Sequence, residues 1–198
     1  MRRHVRKFLS AVIGVVVLFC CSTSGYGKTT PPNWLDVDRF RELPWGATCE
    51  QAQTVYQDLS FVKYAIPDEK EMPPKVYERK NEDRRIDGIR VDGIRYWFRN
   101  NSFYKVTVNL NSKVGPRTIT TPAAEAFDKL SDQITSAMGE PMEARIDHGI
   151  SGTNKKRVWL RGEMFITLLY LEPSGVNDDD LILEIVKGAV GTGTRVPE

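Results

Sequence analysis

The stretch IRYWFRNNSFYKVTVNL, residues 94–110, decides the fold of this chain. Its first half alternates apolar side chains with two arginines and a tryptophan, and its second half alternates apolar with polar side chains. Asn100 and Asn101 separate the halves. A period of two is typical of β-strands, and asparagine tolerates the left-handed backbone of a tight turn. The stretch therefore predicts a β-hairpin with one buried face and one wet face.

A second hairpin is predicted at 158–171, with its turn near Gly162 and Glu163, and a further strand follows at 181–187. WLRGEMFITLLY, which begins at Trp159, aligns without gaps on WFRNNSFYKVTV, which begins at Trp97. Trp, Arg and Phe coincide in the two strings. Because a helix is predicted upstream of each, the pair indicates a tandem helix-plus-strand unit. Two unrelated hairpins of ordinary strand composition are the alternative.

The first helix is predicted to begin after Thr48. Thr48 and Gln51 have the spacing of a capping box, in which each side chain satisfies a free backbone N–H. Apolar residues then recur at helical spacing and predict one buried face: Cys49, Ala52, Val55, Tyr56 and Leu59. Cys49 is the one cysteine beyond the N-terminal segment, so we expect a buried, unpaired thiol.

The second helix has stronger signals. Thr121 can cap it and Pro122 suits its first position, while Gly139 and Pro141 end it. Its predicted buried stripe is Ala123, Phe127, Leu130, Ile134 and Met138.

Together these patterns predict an α+β fold, with two helix-plus-antiparallel-strand units at about 41–112 and 119–188. We expect one or two antiparallel sheets with the helices on one face. Residues 28–40 are interpreted as a linker, 41–188 as the folded domain and 189–198 as a flexible tail.

Residues 1–27 have the layout of a cleaved secretory signal. Arg2, Arg3, Arg6 and Lys7 precede an uncharged apolar stretch of 14 residues at 8–21, followed by small polar residues. That stretch is short for a membrane span, which needs about 20 apolar residues. We expect cleavage between Gly25 and Lys28 and an exported protein, either periplasmic or secreted. An uncleaved signal anchor is the alternative.

Cys20 and Cys21 allow a second interpretation, since the segment partly resembles a bacterial lipoprotein signal. Leu18 stands three residues before Cys21, as in such signals, but Phe19 and Cys20 stand where a small residue is usual. On this interpretation Cys21 is the site of lipid attachment, and acyl chains tether the protein to a membrane surface.

The charge pattern favours neither nucleic acid nor anionic lipid as a partner. The signal carries four of the 28 basic residues and none of the 26 acidic ones, which leaves 24 against 26 and a net charge of about −2. Contact with a membrane is expected only through a lipid anchor or an uncleaved signal. The charged cluster at 79–85 is interpreted as a solvated loop or strand edge.

Four residues are the predicted binding residues of the first hairpin: Arg95, Trp97, Arg99 and Phe103. Strand alternation places Trp97 outward between two arginines, and we expect Phe103 to be exposed as well. Trp and Arg on one sheet face are typical of interface hot spots. A helix that covers this face is the alternative. In the duplicated string IDGIRVDGIR, residues 86–95, an Asp-Gly pair is expected to form a turn, while its arginines could hold an acidic partner.

Catalytic and metal-binding patterns are sparse. Beyond the signal, His148 is the only histidine, and no nucleophile elbow accompanies it. One imidazole and one thiol do not make a zinc site, and Asn177 to Asp180 lack the spacing of a calcium loop. GTGT at 191–194 has no helix after it to receive a phosphate. We therefore expect neither a metal nor a cofactor.

LPWGATCEQAQTV from Leu43, the hairpin sequence above and the helix ending MGEP at Met138 carry a resemblance. The chain resembles small exported bacterial proteins in which a Trp-Gly turn opens a helix packed on a β-meander, in the style of the BamE-like (SmpA/OmlA) lipoproteins and the β-lactamase inhibitor proteins. It differs from them in its imperfect lipoprotein signal, its extra loop at 67–74 and its lack of paired cysteines. Neither a lipid anchor nor an inhibitor role is carried over.

These observations predict a non-catalytic protein-binding or accessory module of the bacterial envelope, with an envelope protein as its partner. Two alternatives remain open. One is a periplasmic protein that binds a small ligand on a concave sheet face, and the other is a hydrolase that uses His148 as its base.

Overall fold

An antiparallel sheet of eight strands forms the centre of the α+β structure. The structure is a computed structural model that describes residues 32–64, 73–110, 123–149, 152–173 and 180–188. Within these ranges, the elements in chain order are a 3-10 turn (Asn33–Leu35), β1 (Arg39–Phe40), β2 (Leu43–Pro44), α1 (Cys49–Val55), β3 (Leu59–Tyr64), β4 (Lys75–Arg79), β5 (Arg85–Ile86), β6 (Ile89–Arg90), β7 (Gly93–Arg99), β8 (Ser102–Asn109), α2 (Ala123–Met138), β9 (Glu143–Gly149), β10 (Gly152–Arg161), β11 (Met164–Pro173) and β12 (Asp180–Lys187). The signal segment with Cys21, Asn177 and the tail at 189–198 lie outside the described residues.

The strand order of the large sheet is symmetric about its middle. It runs β3-β4-β7-β8-β12-β11-β10-β9, and every neighbouring pair is antiparallel. Each helix is followed by four strands of this sheet, and the last strands of the two sets, β8 and β12, pair with each other. One sheet thus forms, and the remaining strands make two small pairs, β1-β2 and β5-β6.

Both predicted hairpins are confirmed. β7 and β8 meet at Asn100 and Asn101, which have φ angles of 49° and 60°, the left-handed values that a two-residue turn requires. β10 and β11 meet at Gly162 and Glu163. The expected Asp-Gly turn forms at Asp87 and Gly88, with φ angles of 49° and 76°, and joins β5 to β6.

The first helix begins where its capping box predicts. The Thr48 hydroxyl accepts from the Gln51 N–H at 3.2 Å, and the Gln51 side chain accepts from the Thr48 N–H at 2.9 Å. Cys49 is buried, as expected, but Val55 is 44% exposed, so the expected apolar face was too wide. The chain leaves the helix after Val55, and Leu59 already lies in β3.

The second helix packs against β10, β11 and β12 and buries four of the five residues of its predicted stripe, while Met138 is half-buried. The ring centre of Phe127 lies 6.2 Å from that of Tyr170. Tyr56, at the end of α1, has its ring centre 5.8 Å from that of Tyr96. The two helices therefore lie on the same side of the sheet. The helix ends before Gly139, which has a φ of 90°. Thr121 and Pro122 lie outside the described residues. Of the helices described, none has the length and apolar character to span a membrane.

Residues 32–40 pack on the core through three of their side chains, and for this part of the expected linker at 28–40 the prediction was wrong. Trp34 and Leu35 are buried in the 3-10 turn, and Phe40 is fully buried. The Phe40 ring lies edge-on to Tyr96, with 6.0 Å between the ring centres. Prolines and polar residues suggested a linker, but three large apolar side chains in this segment bury enough surface to fix it on the sheet.

Candidate functional site

The candidate site is the face of the large sheet opposite α1 and α2, which we call the open face. No described helix lies on it. Side chains directly opposite each other on neighbouring strands share a face. The strand register therefore places one continuous row across six strands of this face: Val76, Trp97, Lys105, Val186, Phe165 and Leu160. We call this set the Trp97 row.

Most of the Trp97 row is apolar and part of it is reached by solvent. Leu160 is 43% exposed, and Trp97, Val186 and Phe165 are half-buried. Val76, at the far end, is buried. Three more half-buried apolar side chains, Ile182, Leu169 and Leu171, extend the same face toward the other end of β11 and β12. Lys105 lies within the row, and Glu184 and Thr167 lie between the two groups. Apolar side chains gathered on one solvent-accessible sheet face are typical of an interaction site.

Trp97, the largest member of the row, is held by its cross-strand neighbour. The ammonium nitrogen of Lys105 lies 4.9 Å from the centre of the indole ring, a cation–π contact. The indole Nε1 is inaccessible to solvent and has no hydrogen-bond partner in the structure. A buried polar atom of this kind carries an unrecovered desolvation cost.

Charged side chains in the adjoining positions are mostly paired. Arg95 forms an ion pair with Glu78 at 2.9 Å, and Lys105 forms one with Glu184 at 2.5 Å. Arg99 is different, because its guanidinium stacks on the Tyr104 ring at 4.8 Å and is exposed. Among the described residues, no carboxylate lies within ion-pair distance of Arg99.

Phe103, one of the four predicted binding residues, lies on the other face, so the expectation that it is exposed was wrong. It is 1% exposed and stacks on Trp45 with 4.7 Å between the ring centres. The cause is a register shift in the β7–β8 ladder: Lys105 pairs with Trp97, but Phe103 pairs with Phe98. Tyr104 is the extra residue, and beyond it the alternation of faces reverses. Arg95, Trp97 and Arg99 stay on the open face.

The same reversal separates the two aligned tryptophans. Trp97 lies on the open face, whereas Trp159 is 1% exposed and pairs with Ile166 on the helix-covered face. The turns of the two hairpins correspond, and aligned side chains before Tyr104 lie on opposite faces, whereas Lys105 and its aligned residue Thr167 lie on the same face.

A buried charged group, Glu82, was missed by sequence reasoning. Its side chain is 3% exposed, forms an ion pair with Arg41 and accepts a hydrogen bond from the Tyr96 hydroxyl at 2.9 Å. Burial raises the pKa of Glu82, although Arg41 and Tyr96 act in the opposite direction. The cluster at 79–85, expected as a solvated loop or strand edge, thus sends one carboxylate into the structure. Its sequence contains no signal for this, because the partners are distant in the chain.

His148 lies on β9 and is exposed. Its Nδ1 is 3.3 Å from the hydroxyl oxygen of Thr153 on β10. The described part of the chain contains no group of three or more His, Cys, Asp or Glu side chains arranged to hold a metal ion.

No protein-family model matches this chain, and neither does any curated protein or any solved structure.

Proposed function

We propose that this protein is an exported, non-catalytic module that binds a partner protein of the bacterial envelope through its open face. The observation that carries the proposal is the Trp97 row, which crosses six strands on the side of the sheet away from both helices and is apolar on five of them, with Lys105 on β8. Export is inferred from the signal-like sequence of residues 1–27.

The composition of the open face favours a protein as the partner. An indole and a phenyl ring lie in a row with aliphatic side chains, and arginines flank them. Trp and Arg dominate the binding energy of protein interfaces, while paired charges around them exclude water and add little energy of their own.

Charge defines the partner further. Arg95 and Lys105 are already neutralised by Glu78 and Glu184, but Arg99 has no such carboxylate among the described residues. The partner should therefore present an apolar patch to the Trp97 row and an Asp or Glu side chain to Arg99. A charge-assisted contact at the rim of an interface sets its orientation and its association rate.

The test is capture of the partner from living cells by crosslinking, followed by mass spectrometry of the captured proteins. Leu160→Asp places a charge in the Trp97 row at a position that is 43% exposed, so the fold should tolerate it. We expect this variant to lose most of the capture because the buried carboxylate would have no partner in the complex.

Val55→Asp is the matched control. Val55 is 44% exposed, like Leu160, but it lies on α1 on the other side of the sheet. It should capture the partner as the unmodified protein does. The proposal would be overturned if both variants captured the partner fully, or if both lost capture to the same extent.

A further inference from the structure

β9, at one edge of the large sheet, is exposed along most of its length. Residues 144–149 are all exposed, including Ile146 at 59%. β9 pairs with β10 on one side and is the last strand of the large sheet on the other. An edge strand of this kind presents unpaired backbone N–H and C=O groups to solvent and can pair with another strand.

The hydrogen-bond pattern decides which residues of β9 point outward. The Leu110 N–H donates to the Leu181 carbonyl at 2.8 Å between β8 and β12. In an antiparallel sheet, the backbone N–H and C=O groups of successive residues point alternately to the strand on one side and to the strand on the other. No register shift occurs from β8 through β12, β11 and β10 to β9. When this alternation is followed from β8 to β9, the backbone groups of Ala144, Ile146 and His148 point away from β10, toward the outer edge of the sheet.

The sequence of β9 is complementary to itself about Ile146. In an antiparallel pair centred there, Ile146 lies opposite Ile146 of a second copy, and the two exchange a pair of backbone hydrogen bonds. Arg145 of each copy then lies opposite Asp147 of the other, so this pair occurs twice. Both are non-hydrogen-bonded pairs, in which the two side chains lie closer together. Ala144 lies opposite His148, and Glu143 opposite Gly149, so no like charges face each other.

The existing electrostatics of β9 favour this arrangement. Lys156 on β10 lies directly opposite Arg145, a like-charge pair, although Lys156 also contacts Glu143 at 3.2 Å. Arg145 forms an ion pair with Asp147 of its own strand at 2.8 Å, and Glu143 of the same strand also acts on it electrostatically. In the paired arrangement each Arg145 lies between two carboxylates, which offsets the repulsion from Lys156.

We infer that the protein forms a twofold-symmetric dimer in which β9 pairs with β9 of a second copy around Ile146. The pairing joins the two eight-stranded sheets into one and buries the two Ile146 side chains against each other. It places both open faces on the same side of the joined sheet. This inference rests on β9 and does not depend on the proposed function.

The test is the mass of the purified protein by sedimentation at rising concentration. The unmodified protein should be a dimer. Arg145→Asp places Asp opposite Asp in both symmetric pairs, and Asp147→Arg places Arg opposite Arg. Each change should weaken dimerisation by about tenfold or more, since two attractive pairs become repulsive. Both side chains are at least half exposed, so the fold should be unaffected.

Mixing the two variants supplies the decisive result. In a heterodimer, the two carboxylates of the Arg145→Asp chain would face the two guanidinium groups of the Asp147→Arg chain. Both cross-strand pairs would then be attractive, so the mixture should recover dimers that neither variant forms alone. The double variant R145D/D147R should recover them as well. A monomeric unmodified protein, single variants that dimerise normally, or a mixture without heterodimers would overturn the inference.

A backbone variant tests the pairing itself. Ile146→Pro removes the outward N–H at the centre of the pair, and proline is tolerated on a sheet edge. It should abolish the dimer, while Ile146→Val, which keeps the N–H, should not. A dimer that survives Ile146→Pro would show that β9 is not the interface.

Discussion

Lys105 lies directly opposite Trp97 across the β7–β8 ladder, with its ammonium nitrogen 4.9 Å from the centre of the indole ring. The same nitrogen forms an ion pair with Glu184 at 2.5 Å on β12. Lys105 thus holds a large aromatic side chain on the open face, one strand away from the β8–β12 junction of the two halves of the sheet. Trp97, and not Phe103, is thus the aromatic centre of the candidate surface.

Replacing Trp97 with Ala should weaken capture of the partner by about 30-fold, the effect of losing a hot-spot tryptophan. Trp97→Phe, which keeps an aromatic face toward Lys105, should lose less. Binding of the captured partner to the two purified variants would measure both effects. Full-strength binding by Trp97→Ala would remove Trp97 from the interface.

Phe103→Ala should act on stability. Phe103 is 1% exposed and packs on Trp45, so its truncation leaves a cavity and should cost about 3–5 kcal/mol. The free energy of unfolding in urea measures the loss. A change below about 1 kcal/mol would mean that the register shift at Tyr104 is absent and that Phe103 is exposed.

The buried carboxylate Glu82 should make stability depend on pH. Its pKa is raised above the ordinary value of 4.5 by burial. At pH values between 4.5, the ordinary pKa that applies to the unfolded chain, and the raised pKa of the folded state, the folded protein binds more protons than the unfolded chain. The contribution of Glu82 to the free energy of unfolding therefore falls as pH rises through this range. Glu82→Gln removes the contribution.

The quantity to measure is the difference in free energy of unfolding between the unmodified protein and Glu82→Gln, from about pH 4 upward. It should shift in favour of the variant as pH rises from the ordinary pKa of 4.5. If the difference stays constant, or if the unmodified protein gains stability relative to the variant as pH rises, burial is not the main influence on the pKa of Glu82.

The capping box of α1 should be worth about 1 kcal/mol. Thr48→Ala removes the acceptor of the Gln51 N–H and should lower the free energy of unfolding by that amount. Thr48→Ser keeps the acceptor and is the control. Equal stability of both variants with the unmodified protein would show that the helix does not depend on its cap.

Local patterns predicted the hairpins and helices well, because each depends on neighbours in the sequence. The asparagine turn, the Asp87-Gly88 turn and the capping box all form as expected. The periodicity also placed Trp97 on the face away from the core. What these elements share is that short-range backbone geometry determines them.

The remaining features depend on contacts that the sequence does not display. A single extra residue at Tyr104 moves Phe103 to the other face of the sheet, and the alternation of apolar and polar residues in the sequence hardly shows it. β9 has exposed residues on both sides and therefore no pattern of alternation. Glu82 meets Arg41 only after the chain has folded back on itself.

The most direct test of the central claim is photo-crosslinking in living cells with a photoreactive amino acid placed at Leu160, in the Trp97 row, or at Val55, on α1. We predict a discrete crosslinked envelope protein from Leu160 and none from Val55. Crosslinks from Val55 without any from Leu160 would contradict binding through the open face.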